Sequence, residues 1–107
     1  MVKTKIFVIN LKKRPDRLKS FLNCSPFDLS KINVFEAIDG KKLENIQPYF
    51  NNLLLGEVGV FLSHKLLWEK LINEKNIDYY IIFEDDAKFS KKFLENFNEI
   101  FSNFISF

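Results

Sequence analysis

Residues 79–87 read Tyr-Tyr-Ile-Ile-Phe-Glu-Asp-Asp-Ala, an apolar run that ends abruptly in three consecutive carboxylates. A short run rich in β-branched and aromatic residues is the pattern of a buried strand. Its charged end, Glu84-Asp85-Asp86, must then emerge at the carboxyl edge of a sheet, where open α/β sheets bind their ligands. Three like charges repel unless something positive stands among them, and a hard divalent cation suits oxygen ligands of this kind. The plainer alternative is a solvated turn, or the approach to a helix capped by Ser90.

The other segments supply a sheet for that strand to join. Lys5 to Asn10 is a short apolar strand, followed by a polar turn, Leu11 to Arg17, with Pro15 near a helix start. Arg17 to Asn23 continues as a helix with Leu18, Phe21 and Leu22 on one face, ended by Ser25-Pro26. Asn33 to Ile38 is a second strand, closed by the turn signal Asp39-Gly40. Residues 41–55 read as loop with one helical turn. Glu57 to Glu74 is the clearest helix, with Val58, Phe61, Leu62, Leu66, Trp68, Leu71 and Ile72 as a broad apolar stripe. The carboxylate strand begins near Asp78, and residues 90–107 form a last helical pattern. The β-α-β-α-β-α order predicts one α/β domain over residues 1–107, Rossmann-like, with a mostly parallel sheet.

A chain of 107 residues has room for one modest core. Its 16 basic and 14 acidic residues are too evenly balanced to indicate nucleic acid or an anionic membrane as partner. Cys24 is the sole cysteine, which excludes an internal disulfide framework and a Cys-based zinc site. No run approaches the roughly 20 apolar residues of a membrane span, and Ile6 to Ile9 is too short for a signal-peptide core. These features predict a cytoplasmic protein with no transmembrane segment.

Three further motifs bear on chemistry. The basic turn at Asn10 to Arg17 opens a helix, and arginine pairs bidentately with phosphate, so Arg14 and Arg17 suit a nucleotide or sugar phosphate. The competing reading is a solvated turn in which Asp16 pairs locally. Ser63-His64 suggests a hydrolase only on paper, because adjacent helical residues point roughly 100° apart; a packed His64 is expected instead. Asp39-Gly40 is a turn by default. It gains meaning because, in a parallel sheet, Asn10, Asp39 and Glu84 to Asp86 all surface along one edge.

These pieces, taken together and in this order, resemble the bacterial glycosyltransferase family 25, the lipopolysaccharide and lipooligosaccharide sugar transferases. The matching residues are Phe7-Val8-Ile9-Asn10-Leu11 with Arg14-Pro15-Asp16-Arg17, then Ala37-Ile38-Asp39-Gly40, then Gly56-Glu57-Val58-Gly59 leading into Leu62-Ser63-His64 and Leu67-Trp68-Glu69-Lys70-Leu71, and last Phe83-Glu84-Asp85-Asp86-Ala87. The resemblance covers residues 5–90. It implies a GT-A-type nucleotide-sugar-binding fold and a metal-dependent, inverting transfer from a UDP-sugar, commonly UDP-galactose. The acceptor it implies is a lipooligosaccharide or other glycan, with the enzyme peripheral at the inner face of the membrane. By the same resemblance Asp86 binds Mn²⁺ or Mg²⁺, and Glu84 or Asp85 reaches the donor. Arg14 and Arg17 assist the departing diphosphate, and Asn10 and Asp39 contact the nucleoside.

The chain also departs from the family. Members are considerably longer, so the sequence predicts a truncated domain, the N-terminal donor half, without the carboxylate that deprotonates the acceptor. Its catalytic base is unassigned: Glu95 and Glu99 fall on the polar side of a helix. The alternative is a truncated, non-catalytic remnant that folds and self-associates, or binds a partner, through its Phe-rich C-terminal helix. A receiver-like phosphoryl-transfer domain fits less well, because its paired acids follow the first strand, where this chain has Asn10.

Overall fold

A computed structural model describes residues 3–43 and 54–101. Three strands, β1 (Thr4–Asn10), β2 (Ile32–Glu36) and β3 (Tyr79–Glu84), form a wholly parallel sheet in the order β2-β1-β3. β1 is central, and Ile6 lies in register with Ile32 on one side and Ile81 on the other. A strand covered on both faces needs apolar residues without alternation, and Ile6, Phe7, Val8 and Ile9 are all buried. The α/β class expected from element order is therefore observed.

Parallel neighbours need crossovers, and three helices supply the layers. α1 (Pro15–Cys24) joins β1 to β2, α2 (Leu55–Asn73) leads into β3, and α3 (Phe93–Phe101) follows it. α1 is longer than the sequence pattern suggests because Pro15 occupies its first turn, where the missing N–H is no loss. β2 is shorter than expected. Its ladder nonetheless extends through Ala37, whose N–H donates to the Asn10 carbonyl at 2.8 Å. The predicted helix over 90–107 is observed from Phe93, and residues 102–107 lie outside the described residues, as do 44–53 of the predicted loop.

Each face of the sheet has its own apolar layer. On one, Phe7 and Ile9 pack with Leu67 of α2, flanked by Phe35, Ala37, Tyr80 and Ile82. On the other, Phe21 of α1 is 1% exposed and meets Phe83 and Phe89 at ring-centroid distances of 5.9 and 5.6 Å. Phe27 joins them, and Phe93 and Phe97 of α3 close this layer edge-on against its ring. Phe93 and Phe97 thus turn into the chain's own core, which lends no support to self-association through them; Phe104 and Phe107 lie outside the described residues.

The α2 stripe differs from its expectation. Its buried residues are Val58, Gly59, Ser63 and Leu67, whereas Phe61, Leu66, Trp68 and Ile72 are exposed. Close approach of backbone decides the face. A Cβ on Gly59 would lie 2.5 Å from the Ile38 carbonyl oxygen, and one on Gly40 would lie 1.6 Å from that of Leu55. Only small residues let the helix reach the β2 turn. Ser63 secures the contact: its hydroxyl accepts from the Ile38 N–H at 2.9 Å and donates to the Gly59 carbonyl at 2.7 Å.

At the amino end of the sheet, the Glu74 carboxylate accepts from both Lys5 and Tyr80. Burial, and then the hydrogen bond to Glu74, push the Tyr80 phenol up to about 12.

The glycine contrast is testable. Gly59→Ala should lose about 1–3 kcal/mol through overpacking against backbone. Gly56→Ala, where a Cβ meets nothing within 4 Å, should be neutral or gain up to about 1 kcal/mol of helix propensity. Urea denaturation of both variants checks the sign.

Candidate functional site

The chain leaves β1 toward β2 on one side and arrives at β3 on the other. The crevice between the carboxyl ends of β1 and β3 is therefore the topological switch point of the sheet. Asn10 ends β1 and is 5% exposed. Its Nδ2 donates to the Arg14 carbonyl at 3.0 Å and across the crevice to Asp85 Oδ2 at 2.8 Å. Asp85 Oδ1 lies 2.7 Å from Nη2 of Arg17 on α1.

Strand alternation explains why the three acids behave differently. Glu84 is in register with Ile9, on the α2 face of the sheet, and is exposed. Asp85 follows toward the α1 face, and its side chain retains only 9% exposure under Arg17. Asp86 projects into solvent at 70% exposure, with its Oδ2 3.6 Å from the same Arg17 nitrogen. The motif therefore divides into one largely covered, doubly bonded carboxylate, Asp85, and two open ones, Glu84 and Asp86.

Asp39 belongs to a second group beyond β1. Its Oδ2 lies 2.9 Å from Lys13 Nζ, and its Oδ1 accepts from the Lys41 N–H at 3.1 Å, capping the short 3₁₀ turn Gly40–Lys42. The hydrogen bond from Lys13, and then that from the Lys41 amide, hold the Asp39 carboxyl below the usual carboxylate range. Lys13 was legible only as one member of a basic cluster; its pairing with Asp39 depends on β2 lying beside β1.

Arg14 stands on the ridge between the groups. Its Nε and Nη2 donate to the two oxygens of Asp16, each at 3.0 Å, which raises the guanidinium and lowers the carboxyl. Local pairing with Asp16, the competing reading of the basic turn, thus holds for Arg14, whereas Arg17 reaches the acidic turn. Two clefts open on either side. The larger, about 490 Å³, is lined by Arg14, Arg17, Phe21, Asp85, Asp86 and Phe89. The smaller, about 230 Å³, is lined by Lys13, Arg14, Ala37, Asp39, Gly40 and Ser63 among others. Ser63 is engaged by backbone on both sides of its hydroxyl, and half-buried His64 stands beside Trp68 with ring centroids 6.3 Å apart. Neither forms a nucleophile–base pair.

Among the described residues no three His, Cys, Asp or Glu side chains converge tightly enough to enclose a cation. Mg²⁺-type sites, however, use one or two carboxylates and fill the remaining positions with water and substrate phosphates. An open Asp86 at a sheet edge, beside arginines that suit a phosphate, fits a shared site of that kind and not an all-protein cage.

A parallel α/β sheet with acid and arginine gathered at its switch point makes this carboxyl edge the candidate site. The family model for glycosyltransferase family 25 (LPS biosynthesis protein) matches residues 3–106, and the chain belongs to this family. It is 31% identical to human procollagen galactosyltransferase 2 over 92% of its own length and 18% of that protein's. It is 33% identical to the glycosyltransferase 25 family member of Aedes aegypti, over 82% of this chain and 17% of the relative. Putative glycosyltransferase R655 of Acanthamoeba polyphaga mimivirus is 30% identical over 94% of this chain and 34% of the viral protein. The chain thus spans less than a fifth of the length of the first two and about a third of the last. No solved structure matches it significantly. Among the described residues no helix is long and apolar enough to cross a membrane.

The Lys13–Asp39 pair gives a pH prediction. Because Asp39 is lowered in the folded chain, the stability it contributes is full above the ordinary carboxylate range and is lost as pH falls through the lowered value. Lys13→Gln should move the Asp39 titration back toward the ordinary range. Carboxyl ¹³C shifts followed by NMR would show it, and an unmoved Asp39 would assign the lowering to the Lys41 amide alone.

Proposed function

We propose that this chain carries the donor-binding part of a glycosyltransferase that transfers a hexose, galactose by preference, from a UDP-sugar to a glycan. The carrying observation is the meeting of Asn10, Arg17, Asp85 and Asp86 in the switch-point crevice, with Asp39 beyond β1. The galactose preference draws on the procollagen galactosyltransferase relative, and a lipopolysaccharide or lipooligosaccharide acceptor draws on the family description. A cytoplasmic reaction at the inner face of the membrane belongs to the same reading, compatible with a chain whose sole cysteine is exposed and unpaired.

In an inverting transfer the acceptor oxygen attacks the anomeric carbon as the bond to UDP breaks on the opposite face, and negative charge grows on the departing diphosphate. Asp86 is the metal ligand in this reading. A bound Mn²⁺ or Mg²⁺ would act there as a Lewis acid toward the diphosphate. The chain's own contribution is cationic and orienting. Arg17 and Arg14 face the larger cleft and pair with phosphate oxygens, which stabilises charge where it develops. Asn10 holds Asp85, and Asp85 holds Arg17, so the guanidinium is positioned before the donor arrives. Glu84 reaches the donor from the α2 side. Asp39, fixed by Lys13, contacts the nucleoside in the smaller cleft. Glu95 and Glu99 are exposed on α3, and neither is assigned as the base.

A second reading has a specific observation behind it. The bovine relative is named a probable inactive glycosyltransferase 25 family member 3, and it is 33% identical to this chain over 82% of this chain's length and 17% of its own. A non-catalytic descendant would keep the fold and lose the donor. Calorimetric titration of UDP with Mn²⁺, repeated in EDTA, separates the two. The donor-site reading expects metal-dependent binding and a loss of at least about tenfold, about 1.4 kcal/mol, in Asp86→Ala. Equal binding by the variant would remove Asp86 as the metal ligand, and no binding by the folded parent would favour the non-catalytic reading.

A further inference from the structure

The acidic turn already has a positive partner in the protein itself. One guanidinium nitrogen, Nη2 of Arg17, stands between two carboxylates, 2.7 Å from Asp85 Oδ1 and 3.6 Å from Asp86 Oδ2. The two contacts are unequal. The first is a short, charge-assisted contact to a carboxylate that is 9% exposed and whose other oxygen accepts from Asn10. The second is longer than a hydrogen bond and reaches a carboxylate that is 70% exposed. Arg17 itself is about one-third exposed (36%) and lines the larger cleft, so its fork is open to a ligand on the side away from Asp85.

We propose that Arg17 is the internal counter-ion of the acidic turn and exchanges Asp86 for the donor's diphosphate when a cation and nucleotide bind together. The inference rests on the donor-site reading given above. A divalent cation at Asp86 would stand within a few ångströms of the guanidinium, and like charges at that distance repel. Metal alone therefore binds weakly against Arg17. A diphosphate removes the conflict, because its oxygens satisfy both the cation and the planar fork of the arginine. Asp85 stays on Arg17 throughout and keeps it aimed, so Asp85 is a positioning residue and Asp86 the exchangeable one. By linkage, the factor by which nucleotide strengthens the metal is the factor by which metal strengthens the nucleotide.

Titrating Mn²⁺ by the electron paramagnetic resonance signal of the free ion, with and without UDP, reads this coupling directly and needs no turnover. Arg17→Gln should tighten Mn²⁺ alone by about tenfold and weaken UDP in the presence of Mn²⁺ by about tenfold, within the usual range of coupling factors. Arg17→Lys keeps the charge and should leave Mn²⁺ alone as weak as in the parent. Loss of both affinities together in Arg17→Gln would mean that Arg17 only props up Asp85, overturning the exchange while the donor site stands. A folded parent that takes neither ion nor nucleotide in any combination would overturn both.

Discussion

The carboxylate of Asp85 ties β1, β3 and α1 together at one point, the carboxyl end of the sheet. It closes the end of β3 against the end of β1 through Asn10, and it closes both against α1 through Arg17. A carboxylate so poorly exposed would be costly to leave unpaired. Asn10 and Arg17 between them occupy both of its oxygens, and that requirement fixes where α1 begins relative to the crevice. Asn10 is constrained in turn: its amide also donates to the Arg14 carbonyl at the start of α1. The geometry of the candidate site is therefore set by a polar tie built across a parallel sheet, with an apolar layer on each face keeping water from its base.

Much of this was legible in the sequence, for a physical reason. β1 and β3 are near-continuous apolar runs because both faces of a parallel sheet are covered, and the run in β3 ends where the charges begin. The order of elements then leaves few topologies, and a parallel sheet brings Asn10, Asp39 and the acidic turn to one edge. Individual partners were less legible. Arg14 and Arg17 look alike in a basic turn, yet one pairs with Asp16 two residues away and the other crosses to Asp85. Helix phase makes that distinction, and phase follows from Pro15 opening α1, which spacing alone did not settle.

The α2 helix shows why apolar periodicity can name the wrong face. Its large residues outnumber what one side can hold, so hydrophobicity alone does not choose between them. Backbone proximity chooses: Gly59 and Ser63 form the strip narrow enough for the Ile38–Gly40 turn to approach, and Val58 and Leu67 are carried inward beside it. That turn carries Asp39. The small residues of α2 therefore have a consequence at the sheet edge, since they hold the loop that presents Asp39 to Lys13.

The charges along this edge alternate in a way that bears on what it can bind. Lys13 faces Asp39, Arg14 faces Asp16, and Arg17 faces Asp85 and Asp86. Each of these four acids has a base within 4 Å, so the charges of this set are largely balanced against one another. A lone anion would have to compete with Asp39, Asp16 and Asp85 for cations already engaged, and a lone cation would meet the corresponding bases. A ligand that brings both signs meets neither obstacle, because each incoming charge can replace the one it separates and no buried group is left unpaired. A nucleoside diphosphate with a divalent cation is such a ligand. The small net charge of the chain, +2, thus conceals an arrangement suited to partner exchange, and that property follows from spacing along the edge and not from overall composition.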